Sequence, residues 1–259
     1  MIHSLLLGLI QGLTEFLPVS SSGHLALAQN FLGWKEPALA FDIALHCATM
    51  LATLVYFRKD VMELGGHWFS GLIKRENRRK PGWTVGWAMI AGTVLTVALG
   101  LPLKPLVERL STSVFAVGVA LVFTGGFLWV ASRLPRGTGS VTVLGGATIG
   151  LAQGLAVIPG ISRSGSTIVA GLGLKLSSEE AFRFSFLLSL PAILGASILE
   201  LADFTASAMP NGWFFGVLVA GLSGYWALSL LRKVVTLGRW RGFSVYCVIL
   251  GLVAVFLGR

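Results

Sequence analysis

The chain has 259 residues, of which 54% are hydrophobic and 12% charged. That is about half the charged share of a soluble domain, and the mean hydropathy is +0.81. These values exclude an ordinary soluble globule and predict an all-α polytopic membrane protein.

The net charge of +9 does not mark a nucleic-acid binder, because the basic residues gather beside apolar stretches. Arg58, Lys59, Lys74, Arg75, Arg78, Arg79 and Lys80 form one group, and Arg232, Lys233, Arg239 and Arg241 another. Such clusters mark the cytoplasmic side and meet anionic lipid head groups. Cys47 and Cys247 both lie in apolar stretches, which suggests neither a disulfide framework nor a cysteine metal site. The N-terminus carries no basic leader or cleavage signal and reads as mature protein.

In chain order, a broken apolar stretch (2–32) is followed by full spans at 39–57, 85–106 and 113–132. A second broken stretch (141–175) precedes spans at 180–201, 213–231 and 243–258. Pro, Gly and Ser interrupt both broken stretches, and each flanking helix is too short to cross a bilayer. Irregular backbone at membrane depth persists only where protein or a wet cavity covers it. The expectation is six transmembrane helices plus two re-entrant helix–loop–helix hairpins, forming one integral domain over residues 1–259.

The broken stretches repeat each other. "GLIQGLTEFLPVSSSG" (8–23) aligns without gaps to "GLAQGLAVIPGISRSG" (150–165), with eight of sixteen positions identical. Each copy precedes three spans, so residues 1–135 and 141–259 read as an inverted-topology repeat. With 58–83 and 232–241 as cytoplasmic loops, Arg133 and Arg136 also fall inside. The first hairpin then opens outward, and the loop at 202–212, which has no Lys or Arg, lies outside.

The chemistry-bearing residues sit in those copies. Glu15 stands in an apolar hairpin, where a charge costs about 2.5–3.5 kcal/mol or more at the bilayer centre. Gln11, four residues earlier, shares its helix face. Beyond Pro18, Ser20, Ser21 and Ser22 open a second helix whose N-terminus can bind an anion, and His24 can serve as acid, base or nucleophile. In the second copy Arg163 stands between Ser162 and Ser164, with Thr167 following; its guanidinium matches phosphate oxygens. Ser20 or Ser162 could instead only cap a helix, Arg163 only neutralise Glu15, and His24 only hydrogen-bond. Asp42 and His46 could support the site, but read first as a simple i,i+4 pair. Together the set points to phosphate chemistry.

At "QGLTEFLPVSSSGH" and "PGISRSGST" the sequence closely resembles the bacitracin-resistance type of undecaprenyl-diphosphate phosphatase, and "FDIALHCATMLATLVYFRKD" and "FRFSFLLSLPAILGA" extend the resemblance across nearly the whole chain. The resemblance implies hydrolysis of a C55 isoprenyl diphosphate to the monophosphate, recycling the carrier for cell-wall synthesis. It implies the bacterial inner membrane, an active site facing the periplasm, membrane lipids and the prenyl diphosphate as partners, room for a homodimer, and a divalent cation, Mg²⁺ or Ca²⁺. Glu15 matches the family's essential acid and expected metal ligand, His24 and Ser21 its nucleophile candidates, and Arg163 its phosphate clamp. Thr167 and Ser162 match further polar site positions, and Gln11 is the neutral option at the family's first acid position; with Ser20, Ser22 and Ser164 these are the expected phosphate-binding residues. His24 is the expected attacking group, with Ser21 or water as the alternative. The rival function is a transporter of prenyl phosphate, since broken helices in inverted repeats also build transporters. A lipid-binding subunit without catalysis is a third reading.

Overall fold

The computed structural model describes residues 1–31, 39–135, 137–200 and 209–258. Arg136 and most of the expected outer loop therefore lie outside the described residues. The first hairpin is α1 (Ile2–Phe16) and α2 (Ser21–Phe31); α3 (Leu39–Tyr56), α4 (Arg58–Ile73), α5 (Pro81–Ser111) and α6 (Val114–Ala131) follow. The second hairpin is α7 (Val143–Leu155) and α8 (Arg163–Gly173), followed by α9 (Ser178–Glu200), α10 (Trp213–Leu237) and α11 (Arg241–Leu257). Among the described residues there is no strand, only an isolated bridge between Gly139 and Leu176.

Four helices are long and apolar enough to cross a membrane, within α5, α6, α9 and α10; α3 and α4, bent by 75°, make a fifth candidate as a pair. At 17 residues, α11 is roughly 26 Å long against a hydrocarbon core of about 30 Å. Phe123, Leu222 and Ile249 present apolar side chains outward from these helices, as lipid-facing surfaces do. The protein is an all-helical, multi-pass membrane protein.

One expectation needs correcting. The segment after Tyr56 is not a loop: α4 and a 3₁₀ turn at Arg75–Arg79 occupy most of it. Arg58, Lys59, Asp60 and Glu63 mask a helical spacing of Val61, Leu64 and Trp68. Gly82 and Gly86 of α5 fit against Leu64, His67 and Trp68, which holds α4 to the bundle. Likewise α10 continues through Arg232 and Lys233 to Leu237, closed by Gly238 at φ +69°.

Local chemistry sets the hairpin breaks. Leu17 is extended (ψ 146°), as the residue before a proline must be, and α1 stops there. Ser162 caps α8 by accepting from the Gly165 N–H at 3.1 Å, and Thr142 caps α7 through Gly145 at 3.0 Å. Lipid supplies no hydrophobic drive between helices, so close contact of small residues holds them. A Cβ on Gly8 of α1 would stand 2.1 Å from the Gly216 carbonyl oxygen of α10. A Cβ on Gly150 of α7 would stand 2.1 Å from that of Gly92 of α5. Each hairpin thus packs its matching glycine on a helix of the other half.

Candidate active site

The two hairpin turns interlock. Ser20 has φ +69°, a left-handed conformation that a non-glycine residue adopts only when its surroundings demand it. Its hydroxyl oxygen accepts from the Gly23 N–H at 3.3 Å and from the Gly160 N–H of the other hairpin at 3.1 Å. Ser164 returns the contact by donating to the Leu17 carbonyl at 3.3 Å. Thr124 of α6 fastens the second turn: its hydroxyl donates to the Gly160 carbonyl at 2.7 Å and accepts from the Ser162 N–H at 3.1 Å. Of these five bonds, Gly160 to Ser20 and Ser164 to Leu17 run between the hairpins and bring the N-termini of α2 and α8 together.

Glu15 lies in the last turn of α1 at this junction and is only 6% exposed. Arg163 forms an ion pair with one carboxylate oxygen. The other oxygen accepts from Ser21 Oγ at 2.6 Å and from Gln11 Nε2 at 3.0 Å. His46 Nε2 lies 3.7 Å from that same oxygen. The acid's desolvation is therefore offset by a cation and directed donors, the condition under which a buried charge persists. Two atoms are left over: Arg163 Nη1 and Gln11 Oε1 are buried without a partner. The first is a spare donor for a phosphate oxygen, and the second a spare oxygen ligand.

His24 is placed differently. Its Nδ1 lies 2.7 Å from the Ser20 carbonyl oxygen; a carbonyl only accepts, so Nδ1 carries the hydrogen. Nε2 therefore accepts from the Tyr246 hydroxyl, 2.7 Å away on α11. The two rings also stack, 5.7 Å between centroids and 11° from parallel. The structure thus brings Gln11, Glu15, Ser21 and Arg163 into one cluster and places His24 beside it, turned to α11. Ser22 Oγ is 3.3 Å from Ser20 Oγ, and Ser162 Oγ the same distance from Ser164 Oγ. Thr167 donates to the Arg163 carbonyl at 2.9 Å and meets the Ser185 hydroxyl, bracing the first turn of α8.

Sequence reasoning missed the roles of Tyr246, Thr124 and Ser185; Thr124 and Tyr246 lie in apolar runs, and Ser185, two residues after Arg183, gave no sign that it would meet Thr167. It preferred a simple pair of His46 with Asp42 to a supporting place at the site. In the structure His46 turns Nδ1 to the Asp42 backbone carbonyl at 2.8 Å, while the Asp42 carboxylate accepts from Gln29 Nε2. The spacing of four was a true signal, but for the orientation of His46 toward Glu15.

Beneath the carboxylate, on the side of the basic clusters, Phe16 packs on Phe186 with ring centroids 5.7 Å apart. Phe57 and Phe182 complete the buried aromatic floor. Beyond it Arg183 pairs with Asp60 and Glu180, and Arg232 with Glu179 at 2.8 Å.

Among the described residues no three His, Cys, Asp or Glu side chains gather as a metal cluster. A hard cation needs only one or two carboxylates when substrate phosphates complete its shell. The Glu15 carboxylate and the unpartnered Gln11 Oε1 are oxygen donors of the right kind, so the site fits one.

The profile of the family described as "Bacitracin resistance protein BacA" matches residues 4–253. A protein of Desulfosudis oleivorans named undecaprenyl-diphosphatase is 46% identical over 99% of this chain and 98% of its own. A protein of the same name from Carboxydothermus hydrogenoformans is 41% identical, covering 98% and 96%. Another, from Methanosphaera stadtmanae, is 37% identical over 99% and 97%.

Proposed function

The chain belongs to the bacitracin resistance protein BacA family, and from that premise we propose that it hydrolyses undecaprenyl diphosphate to undecaprenyl phosphate and orthophosphate. One observation carries the reading: a serine hydroxyl is hydrogen-bonded to a buried carboxylate that is itself paired with an arginine having a free donor.

Ser21, not His24, is the nucleophile in this reading. Ser21 Oγ attacks the terminal phosphorus while its proton passes to Glu15 Oε2, the oxygen it already faces. The bond from phosphorus to the bridging oxygen breaks, and the prenyl monophosphate leaves with that oxygen. Arg163 Nη1 and the first N–H groups of α2 and α8 hold the equatorial oxygens, where charge is greatest in the transition state. Water then attacks the phosphoserine, Glu15 returns the proton to Ser21 Oγ, and orthophosphate carries away the proton of water. Glu15 and Gln11 Oε1 would hold Mg²⁺ or Ca²⁺, whose charge offsets that of the diphosphate. His24 keeps the Ser20 turn in place and lines the mouth.

In the membrane we place six spans and two re-entrant hairpins as an inverted repeat, 1–135 and 141–259, within one domain. The matched contacts of Gly8 with Gly216 and Gly150 with Gly92 support this arrangement. The basic clusters set the cytoplasmic side, so the aromatic floor closes the site toward the cytoplasm and its mouth faces the periplasm. A transporter would need no nucleophile and gains nothing from the relatives named above.

The test is phosphate release from undecaprenyl diphosphate in detergent, followed by acid quenching with a terminally labelled substrate. Acid-stable label on Ser21, absent in Ser21→Ala, is the expected result. Acid-labile, alkali-stable label on His24 would replace the nucleophile, and no phosphate release would overturn the function.

A further inference from the structure

Between α3, α4, α5 and α9 lies a cavity of about 660 Å³, the size of a ligand pocket rather than a packing defect. No charged side chain lines it, so it offers nothing to a head group and suits hydrocarbon alone. Ile90, Val94 and Leu194 line it and are 40%, 59% and 50% exposed. These three stand on the outward faces of α5 and α9, so the cavity opens sideways into the bilayer.

Its position relates it to the carboxylate. His46, which faces Glu15, is followed at four-residue steps by Met50 and Leu54, both lining the cavity. These three make one stripe on α3, spanning roughly 12 Å at 1.5 Å per residue. On the opposite wall Leu187 lines the cavity directly after Phe186, whose ring packs on Phe16 beside Glu15. The apolar space thus begins about one helical turn from the site along two separate helices.

We propose that this cavity holds the prenyl chain of the substrate, so that α3 carries the diphosphate at His46 and the tail from Met50 onward. The proposal rests on the diphosphate reading of the site. A substrate with a long hydrocarbon tail must direct it somewhere from the buried carboxylate, and this is an apolar exit that reaches lipid. Because lipid tails are as apolar as leucine, the cavity adds little transfer energy. Its contribution is position: a seated tail fixes the angle at which the terminal phosphorus meets Ser21.

Gly65 makes the proposal testable. It lines the cavity, and a Cβ there meets nothing within 4 Å, so Gly65→Phe places a ring in the space without touching the backbone. Undecaprenyl diphosphate is compared with dimethylallyl diphosphate, whose five carbons end near the site. We expect kcat/KM for the long substrate to fall roughly tenfold or more, the scale on which a filled apolar pocket discriminates, with the short one unchanged. Unchanged turnover of both overturns the proposal. If both fall together, fluorescence decides, using undecaprenyl phosphate brominated on its tail and brominated phosphatidylglycerol as quenchers. Trp68 also lines the cavity, and its signal is the difference between the native protein and Trp68→Phe. Quenching by the prenyl lipid supports the proposal; quenching by neither, or by the phospholipid alone, overturns it. Failure of the native enzyme to release phosphate from either diphosphate would instead overturn the reading of the site.

Discussion

Tyr246 holds His24 in two ways at once, by a 2.7 Å hydrogen bond to Nε2 and by a stacked ring 5.7 Å away. The two contacts can be removed separately. Tyr246→Phe keeps the stack and loses the bond, at a cost of about 1 kcal/mol in positioning, or roughly fivefold in kcat. Tyr246→Ala loses both and should fall further. Steady-state rates on the prenyl diphosphate give the order; a Phe variant equal to the native enzyme would show that the bond does not serve turnover.

Glu15 and Arg163 should separate stability from activity. Glu15→Gln leaves Arg163 buried without its counter-charge, which costs about 3–5 kcal/mol, whereas removing both charges is close to neutral. Thermal unfolding in detergent should therefore show Glu15→Gln destabilised and the double variant Glu15→Gln, Arg163→Met largely restored. Both should have lost at least about 10²-fold in rate, the effect of removing a single preorganised charge-stabilising group. Rescue of activity along with stability would deny the pair a part in the chemistry.

The glycine contacts predict where bulk is forbidden. Gly8→Leu and Gly150→Leu each push a side chain into a carbonyl 2.1 Å from the Cβ position, and neither should yield folded protein. Gly66, where a Cβ meets nothing within 4 Å, should accept Ala with a gain of about 0.5–1 kcal/mol. Monodispersity after extraction and melting temperature report both outcomes.

Sidedness is checked with single cysteines in a chain where Cys47 and Cys247 are Ser. A membrane-impermeant thiol reagent on intact spheroplasts should label Asn211→Cys at once. Asn77→Cys, in the basic 3₁₀ turn, should react only after lysis. The opposite pattern would turn the mouth of the site to the cytoplasm.

The hairpins were legible because their signals are local. Pro18 dictates where α1 stops, and the repeated Ser-x-Ser-Gly places a cap and a small residue at the start of α2 and α8. The pairing of Glu15 with Arg163 was also within reach, since two opposite charges in matching apolar hairpins have few other partners. Tyr246 was not: it is 222 positions from His24 and sits in an apolar run where only packing brings it near. The helix α4 was hidden because charges at its start outweigh the three apolar residues that face α5. The proposed choice of Ser21 over His24 rests on orientation, and nothing in the order of the two residues says which one faces Glu15.

Because Glu15 and Arg163 are 148 positions apart, the acid is made long before its counter-ion. At about 5–20 residues per second, roughly 7 to 30 seconds separate the two on the ribosome. During that interval the first hairpin has no arginine to meet and no α10 against which to rest Gly8. The first hairpin is then expected to linger at the wet edge of the insertion machinery, slipping to its final depth only when the second hairpin arrives. A nascent chain arrested between Glu15 and Arg163 would be caught in that waiting state, with Ser21 open to aqueous reagents.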